Sequence, residues 1–303
     1  LWITQRSVDN TWRLKLNGAD LGLLKTNNEP ADHWYPIPGG TLKSGDNLLE
    51  IDPEGDPNDD VILGNFRLVE GSMREALHLQ KVSVTVLNAA DSKPLPARVN
   101  FFRADKKAAT LFYTTPETSP VREDLAYTVD GKLTTELAPG EYLLYASHGT
   151  EWSVASAPLI VTDSPASVTL SLKHEIDTTG FIACDTHIHT LQFSGHGDAS
   201  ALERIVTIAG EGVELAIATD HNHNTDYRPF QKELGMEKLF TPVTGNEVTT
   251  DNGHFNSFPL EAEDAIPVYK ESDYAKLVEG IRAQRRAAVS QAITLVESSR
   301  PQH

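Results

Sequence analysis

Residues 181–224 read FIACDTHIHTLQFSGHGDASALERIVTIAGEGVELAIATDHNHN, and this stretch decides how the chain is divided. Phe181-Ile182-Ala183-Cys184 is an apolar run of strand size. Asp198-Ala199-Ser200 opens a helix, with Ser200 and Glu203 at capping-box spacing. Leu202, Ile205, Val206 and Ala209 then recur on one helical face, and Gly210 and Gly212 close it. Leu215-Ala216-Ile217-Ala218-Thr219 is a second strand, Phe240 to Val248 holds a third, and Phe255 to Leu260 a fourth. Strands alternating with helices predict a parallel sheet or a barrel from about residue 178 onward.

The chain ahead of this stretch reads differently. Trp12-Arg13-Leu14-Lys15-Leu16 alternates, Asn17-Gly18 is a hairpin turn that tolerates positive φ, and Leu21 to Leu24 resumes the strand. Further strands are expected at Leu48 to Ile51 and Val61 to Val69, separated by turn clusters, which predicts a β-sandwich over 1–75. Over 76–177, Lys81 to Val86 alternates strictly, and Ala97 to Phe102, Glu141 to Ala146 and Ser167 to Leu172 predict a second sandwich. His78 and His148 stand alone in this region and read as surface residues.

Composition narrows the function classes. The chain has 303 residues, enough for about two domains or three small ones. Twenty-six Lys plus Arg against 43 Asp plus Glu leave a formal net charge of −17, which repels phosphate backbones and argues against nucleic-acid binding. No apolar run reaches membrane-spanning length, so no membrane partner is expected. Cys184 is the single cysteine, so no internal disulfide forms. The start, LWITQRSVDNTWRL, shows no signal-peptide pattern. The compartment stays open, with a periplasmic or extracellular location expected for a full-length parent.

Six of the eleven histidines lie between 187 and 254: His187, His189, His196, His221, His223 and His254. His187 and His189 follow a strand end, and at period 2 both imidazoles leave the same face, so one cation can be held by both. Asp220-His221 follows the second strand and Glu247 ends the third. Ligands at the carboxyl ends of successive parallel strands converge on one pocket. Imidazoles and carboxylates without a usable thiolate suit zinc, manganese or iron, at one to three ions per site. A lone H-x-H pair would say little, but three strand-end clusters in order are hard to obtain by chance.

D-T-H-I-H-T at 185–190, S-G-H-G-D at 194–198, A-T-D-H-N at 218–222 and G-N-E-V-T-T-D-N-G-H-F-N at 245–256 resemble the PHP (polymerase and histidinol phosphatase) superfamily. The likeness is nearest to its carbaryl-hydrolase-like branch, whose members carry β-domains ahead of the PHP domain. That resemblance implies that His187 and His189 bind one metal, His196 and His221 a second, that Glu247 bridges and that His254 serves a third. It also implies that Asp185 and Asp220 hold the imidazoles in orientation, and leaves His223 as either a ligand or a loop residue at the mouth. The 1–75 region is similar to galactose-binding-like modules through W-R-L-K-L-N-G, L-G-L-L and G-D-N-L-L-E-I. The 76–177 region is similar to transthyretin-like, carboxypeptidase-regulatory-like sandwiches through P-L-P-A-R-V-N-F, D-G-K and L-A-P-G-E-Y-L-L-Y-A.

The expected architecture is therefore multi-domain: two all-β sandwich modules, then a truncated α/β PHP domain over 178–284, an incomplete distorted TIM-like barrel. The family's later histidine motifs have no counterpart after residue 254, where the only further histidine is His303. Residues 285–303 read as a helical tail that resembles the start of MeaB/ArgK-type P-loop GTPases, and so as a fusion, with a divergent native helix as the alternative. The expected function is metal-dependent hydrolysis of phosphoesters, phosphotriesters included, by a metal-bound hydroxide. Carboxylic or carbamate esters are the alternative small-molecule substrates on the same site. A reading of another class is a non-catalytic β-sandwich binding protein with a decayed PHP remnant. A homodimer or higher homo-oligomer is expected, because half a barrel leaves strand edges open, and His223 or His303 could then complete the site across the interface.

Overall fold

The computed structural model describes residues 1–25, 30–55, 58–112, 120–122, 124–197, 199–251, 253–283 and 296–297. They fall into two compact units, Leu1–Leu79 and Gln80–His303.

The first unit contains β1 (Trp2–Arg6), β2 (Trp12–Leu16), β3 (Ala19–Leu23), β4 (Ala31–Trp34), β5 (Leu49–Pro53), β6 (Ile62–Arg67) and the short α1 (Met73–Ala76). Its strands form two three-stranded sheets in the orders β4-β1-β6 and β3-β2-β5. Ile3, Leu14, Leu16, Leu21 and Tyr35 fill the space between them. The β2–β3 turn is set locally: Asn17 and Gly18 both take positive φ, at 51° and 82°, the pair that a tight turn twisted like its strands requires.

The second unit opens with a larger sandwich. It comprises β7 (Gln80–Asn88), β8 (Ala97–Arg103), β9 (Val121–Arg122), β10 (Leu125–Thr128), β11 (Lys132–Leu137), β12 (Gly140–Ser147), β13 (Ala155–Val161) and β14 (Ala166–Leu172). One sheet runs β13-β12-β8-β10-β9 and the other β11-β7-β14, with β14 parallel to β7. Alternation explains the packing. Val82, Val84 and Val86 point inward from β7 and meet Val99, Phe101, Leu144 and Leu172 in one buried cluster.

A smaller βα segment follows: β15 (Cys184–Ile188), α2 (Leu191–Ser194), α3 (Ala201–Gly210), β16 (Leu215–Ala218), α4 (Arg228–Leu234), β17 (Thr241–Val243), β18 (Asn246–Thr250), β19 (Gly253–Ser257), α5 (Tyr274–Ala283) and β20 (Val296–Glu297). The α3 start carries the capping box: Glu203 N–H donates to Ser200 Oγ at 3.3 Å, and Ser200 N–H to Glu203 Oε2 at 2.9 Å. The α3 helix lies against β10 and β8 of the sandwich. There Tyr127 donates to Glu211 at 2.6 Å, and a Cβ on Gly210 would sit 2.5 Å from the Tyr127 ring, so only glycine admits this approach.

The barrel expectation is corrected here. β15, β16 and β17 form a three-stranded parallel sheet, but the chain then turns, and β18, β19 and β20 form a separate three-stranded sheet with antiparallel pairing. No barrel exists among the described residues, which are mostly β in several small sheets. The physical reason lies at 240–260. The expected third strand is two strands in different sheets, and the expected fourth pairs antiparallel to its predecessor, so the right-handed βα repetition that closes a barrel stops. In the expected helical tail, 285–295 and 298–303 lie outside the described residues, and Val296–Glu297 pair as a strand with β19 instead of continuing a helix.

Candidate metal centre

The centre is built where β15, β16 and β18 end or begin. His187 lies in β15 and His189 just after it, their Nε2 atoms 2.9 Å apart. His221 follows β16, and its Nε2 stands 2.6 Å from His196 Nε2, which the loop after α2 supplies. Glu247 reaches the same place because 220–222 and 247 extend the pairing between the two small sheets. Glu247 N–H donates to Asp220 O at 3.1 Å, and Asn222 N–H to Glu247 O at 3.0 Å. Gly245 makes that approach possible, since a Cβ there would stand 2.5 Å from Ala218 O.

Glu247 is the hub. Its side chain is 2% exposed, with Oε1 3.1 Å from both His187 Nε2 and His254 Nδ1. Oε2 lies 3.3 Å from His189 Nε2 and 2.9 Å from His221 Nδ1. Neither contact to Oε2 has the direction of a hydrogen bond, so this buried oxygen has no hydrogen-bond partner among the described residues. Leaving a carboxylate oxygen so placed costs about 1–3 kcal/mol or more unless a cation satisfies it. Three sets of donor atoms converge: His189, His196 and His221; His187, His189 and Glu247; and His221, Glu247 and His254. Tetrahedral bonds of about 2.0–2.1 Å set donors about 3.3 Å apart, which the Glu247 contacts approach. The sole thiol, Cys184, is exposed and belongs to none of these sets. The residues fit a zinc, manganese or iron ion.

Surrounding groups orient the rings. Asp220, fully buried, accepts from Thr190 N–H at 2.7 Å, Thr190 Oγ1 at 2.9 Å, Ser194 Oγ at 2.6 Å and Thr225 Oγ1 at 2.7 Å. Since Ser194 gives its proton to Asp220, its oxygen accepts from His189 Nδ1 at 3.1 Å. That tautomer turns the His189 Nε2 lone pair toward Glu247 and His187. By the same logic Thr249 Oγ1 donates to Glu247 O at 3.1 Å and accepts from His221 Nδ1, which leaves the Nε2 lone pair of His221 facing His196. Burial, reinforced by the charges of His221 and His187 and opposed by Glu247, lowers His189 to about 4, so it is neutral and able to bind metal at pH 7. Burial alone would push the Glu247 carboxyl up, but His221 beside it and the charges of His187 and His189 carry it down to about 2.

One expected residue falls outside the cluster, and another cannot be placed in it or out of it. His223 bonds Thr225 Oγ1 at 2.9 Å and stacks on Phe193 at 4.3 Å and 9°, so it is a loop residue against an aromatic wall. His303 lies outside the described residues. Asp185 meets the His187 backbone N–H at 3.0 Å and so holds the chain rather than the imidazole. Ser194 and Thr249 were missed, although both sit inside the quoted motifs. His148 is also corrected: it is half-buried, with Nδ1 3.2 Å from Gly210 O at the docking face of α3.

No protein-family model and no curated protein matches the chain in sequence. Solved structures similar to it include the group B streptococcus pilus 2b backbone protein, at 12% identity and TM-score 0.27, covering 59% of this chain and 87% of that one. BcpA, the major pilin subunit of Bacillus cereus, is 9% identical at TM-score 0.27, with 57% and 59% covered. The shaft pilin SpaA of Lactobacillus rhamnosus GG is 10% identical at TM-score 0.23, with 56% and 85% covered. The PHP resemblance, and the phosphoester or carboxyl-ester hydrolysis it implied, are corrected on two counts: no family model matches, and the expected barrel is not formed among the described residues.

Proposed function

We propose that the chain is a non-catalytic binding protein, built on β-sandwich modules, that holds a divalent cation between β15, β16 and β18. The observation that carries this reading is the buried Oε2 of Glu247, without a hydrogen bond, in a carboxylate faced by the four imidazoles of His187, His189, His221 and His254. A non-catalytic role is supported by the fate of the buried carboxylate beside the cluster. Asp220 spends its oxygens on four hydrogen bonds, so it is not free to move a proton for a substrate. A location outside the cytoplasm belongs to the same proposal.

The test is metal quantification on purified protein, followed by zinc and manganese titration of chelated protein. About one or more ions per chain are expected, with at least tenfold weaker binding in Glu247→Gln and His187→Ala. Equal affinity in Glu247→Gln would refute the metal centre. A panel of chromogenic phosphoesters and carboxyl esters should show no turnover, and metal-dependent turnover that disappears in His187→Ala would refute the non-catalytic role.

A further inference from the structure

The outer face of the five-stranded sheet carries a second feature, which shares no residue with the metal centre. Alternation along β8 and β12 sends Val99, Phe101, Leu144 and Ala146 inward, so Asn100, Phe102, Leu143 and Tyr145 face out. Register then places Asn100 beside Tyr145, and Phe102 and Pro158 on either side of Leu143. Together they floor a trough of about 1080 Å³. The Phe102 and Tyr145 rings meet edge to face at 5.8 Å and 79°, which locks the two as one surface. Val154 and Ile160 at its side are 65% and 66% exposed. An apolar floor this open marks an interaction surface more often than a bare sheet face.

Charge selects the occupant. Arg98, Arg103 and Lys106 line the trough, against the single carboxylate of Glu141. Arg98 is tied to Glu211 at 3.1 Å, though its Nε is buried with no hydrogen bond among the described residues. Arg103 and Lys106 pair with no carboxylate among the described residues. On a chain of net charge −17, a locally cationic trough is a specific feature, because the molecule as a whole repels polyanions. The ligand must lay a flat apolar face on aromatic rings, offer hydroxyls to Asn100 and Ser147, and present carboxylates to a guanidinium and an ammonium. We propose that this trough binds a carboxylate-bearing polysaccharide, with pyranose C–H faces on Phe102, Tyr145 and Ile160 and uronate carboxylates on Arg103 and Lys106.

The experiment uses the intact chain in a chelating buffer, so that the metal centre plays no part, and measures affinity for polygalacturonate oligomers and for neutral dextran. Binding to polygalacturonate alone is expected, weakened at least tenfold in Tyr145→Ala and in Arg103→Gln, and weakened by salt. Lys173→Ala, away from the trough, should bind as the parent does. Arg103→Gln changes an exposed side chain and keeps the fold, so unchanged affinity in that variant overturns the proposal. Absence of polygalacturonate binding, or equal binding to dextran, overturns it as well. So does sedimentation showing a dimer that Tyr145→Ala dissociates without any polysaccharide binding, since a second copy of the chain would then be the occupant.

Discussion

The sandwich of β7–β14 and the βα segment of β15–β19 are held together by opposite means. The sandwich buries valines, leucines and Phe101, with few polar side chains among them. Its stability scales with apolar area removed from water, at about 25 cal/mol per Å². The βα segment buries Asp220, Asn224, Thr225, Gln231, Asn246, Glu247 and Asn256 beside a smaller apolar cluster. Each of these must be satisfied by a hydrogen bond or a cation, and Glu247 Oε2, Asn246 Oδ1 and Asn256 Oδ1 are not satisfied by protein atoms among the described residues. The difference teaches where ligands matter. An apolar core is indifferent to ions, whereas a polar one holding a buried carboxylate oxygen without a hydrogen bond is where the proposed cation would act.

The hardest blow to that comparison falls on the sandwich. Phe101→Ala empties a fully buried ring position and should cost about 3–5 kcal/mol in denaturant unfolding, whether or not metal is present. A loss that depended on metal would break the contrast. Next, Asp220→Ala strips four donors of their acceptor and should cost about 3 kcal/mol, with weaker metal binding because Ser194 no longer holds His189. Hydrogen exchange should localise that damage to β15–β18 and leave β7 and β12 protected.

Metal itself sharpens the comparison at a somewhat smaller scale. A divalent ion at a hundredfold excess over its dissociation constant stabilises the native state by about 2.7 kcal/mol. Chelation should therefore speed exchange in β16 and β18 and leave the sandwich amides unchanged, and uniform acceleration across both regions would contradict the division. The smallest effect is expected at the α3 cap. Ser200→Ala removes one acceptor from the first helical turn and should cost about 1 kcal/mol, read as a shift in the midpoint of chemical unfolding with an unchanged slope.

Legibility followed the range of the interaction. The alternation at 81–86 lies inside β7, the Asn17-Gly18 turn has both positive φ values, and the Ser200–Glu203 box is formed, because each depends on residues within a few positions. The grouping of His187, His189 and His221 was readable from their places at strand ends, whereas Glu247, expected to end the third strand, stands near the start of β18. The part played by Ser194 and Thr249 was not, since a hydroxyl declares its partner only when a ring nitrogen stands beside it. His148 looked like a lone surface histidine because nothing near it in sequence announces α3, which is more than fifty residues away.

By itself, then, the sequence determined the local elements and the kinds of chemistry available: period-2 valines, caps, turns, and a concentration of imidazoles without thiolates. Tertiary structure decided which sheets those elements joined. Phe240 to Val248 has the apolarity of one strand, yet Gly245 admits Ala218 O so closely that the chain breaks there and passes into a second, antiparallel sheet. Strand pairing is a choice among distant partners, set by backbone hydrogen bonds and close approach rather than by side-chain period. That choice ended the parallel series after β17 and so undid the barrel, while still carrying Glu247 in among the histidines.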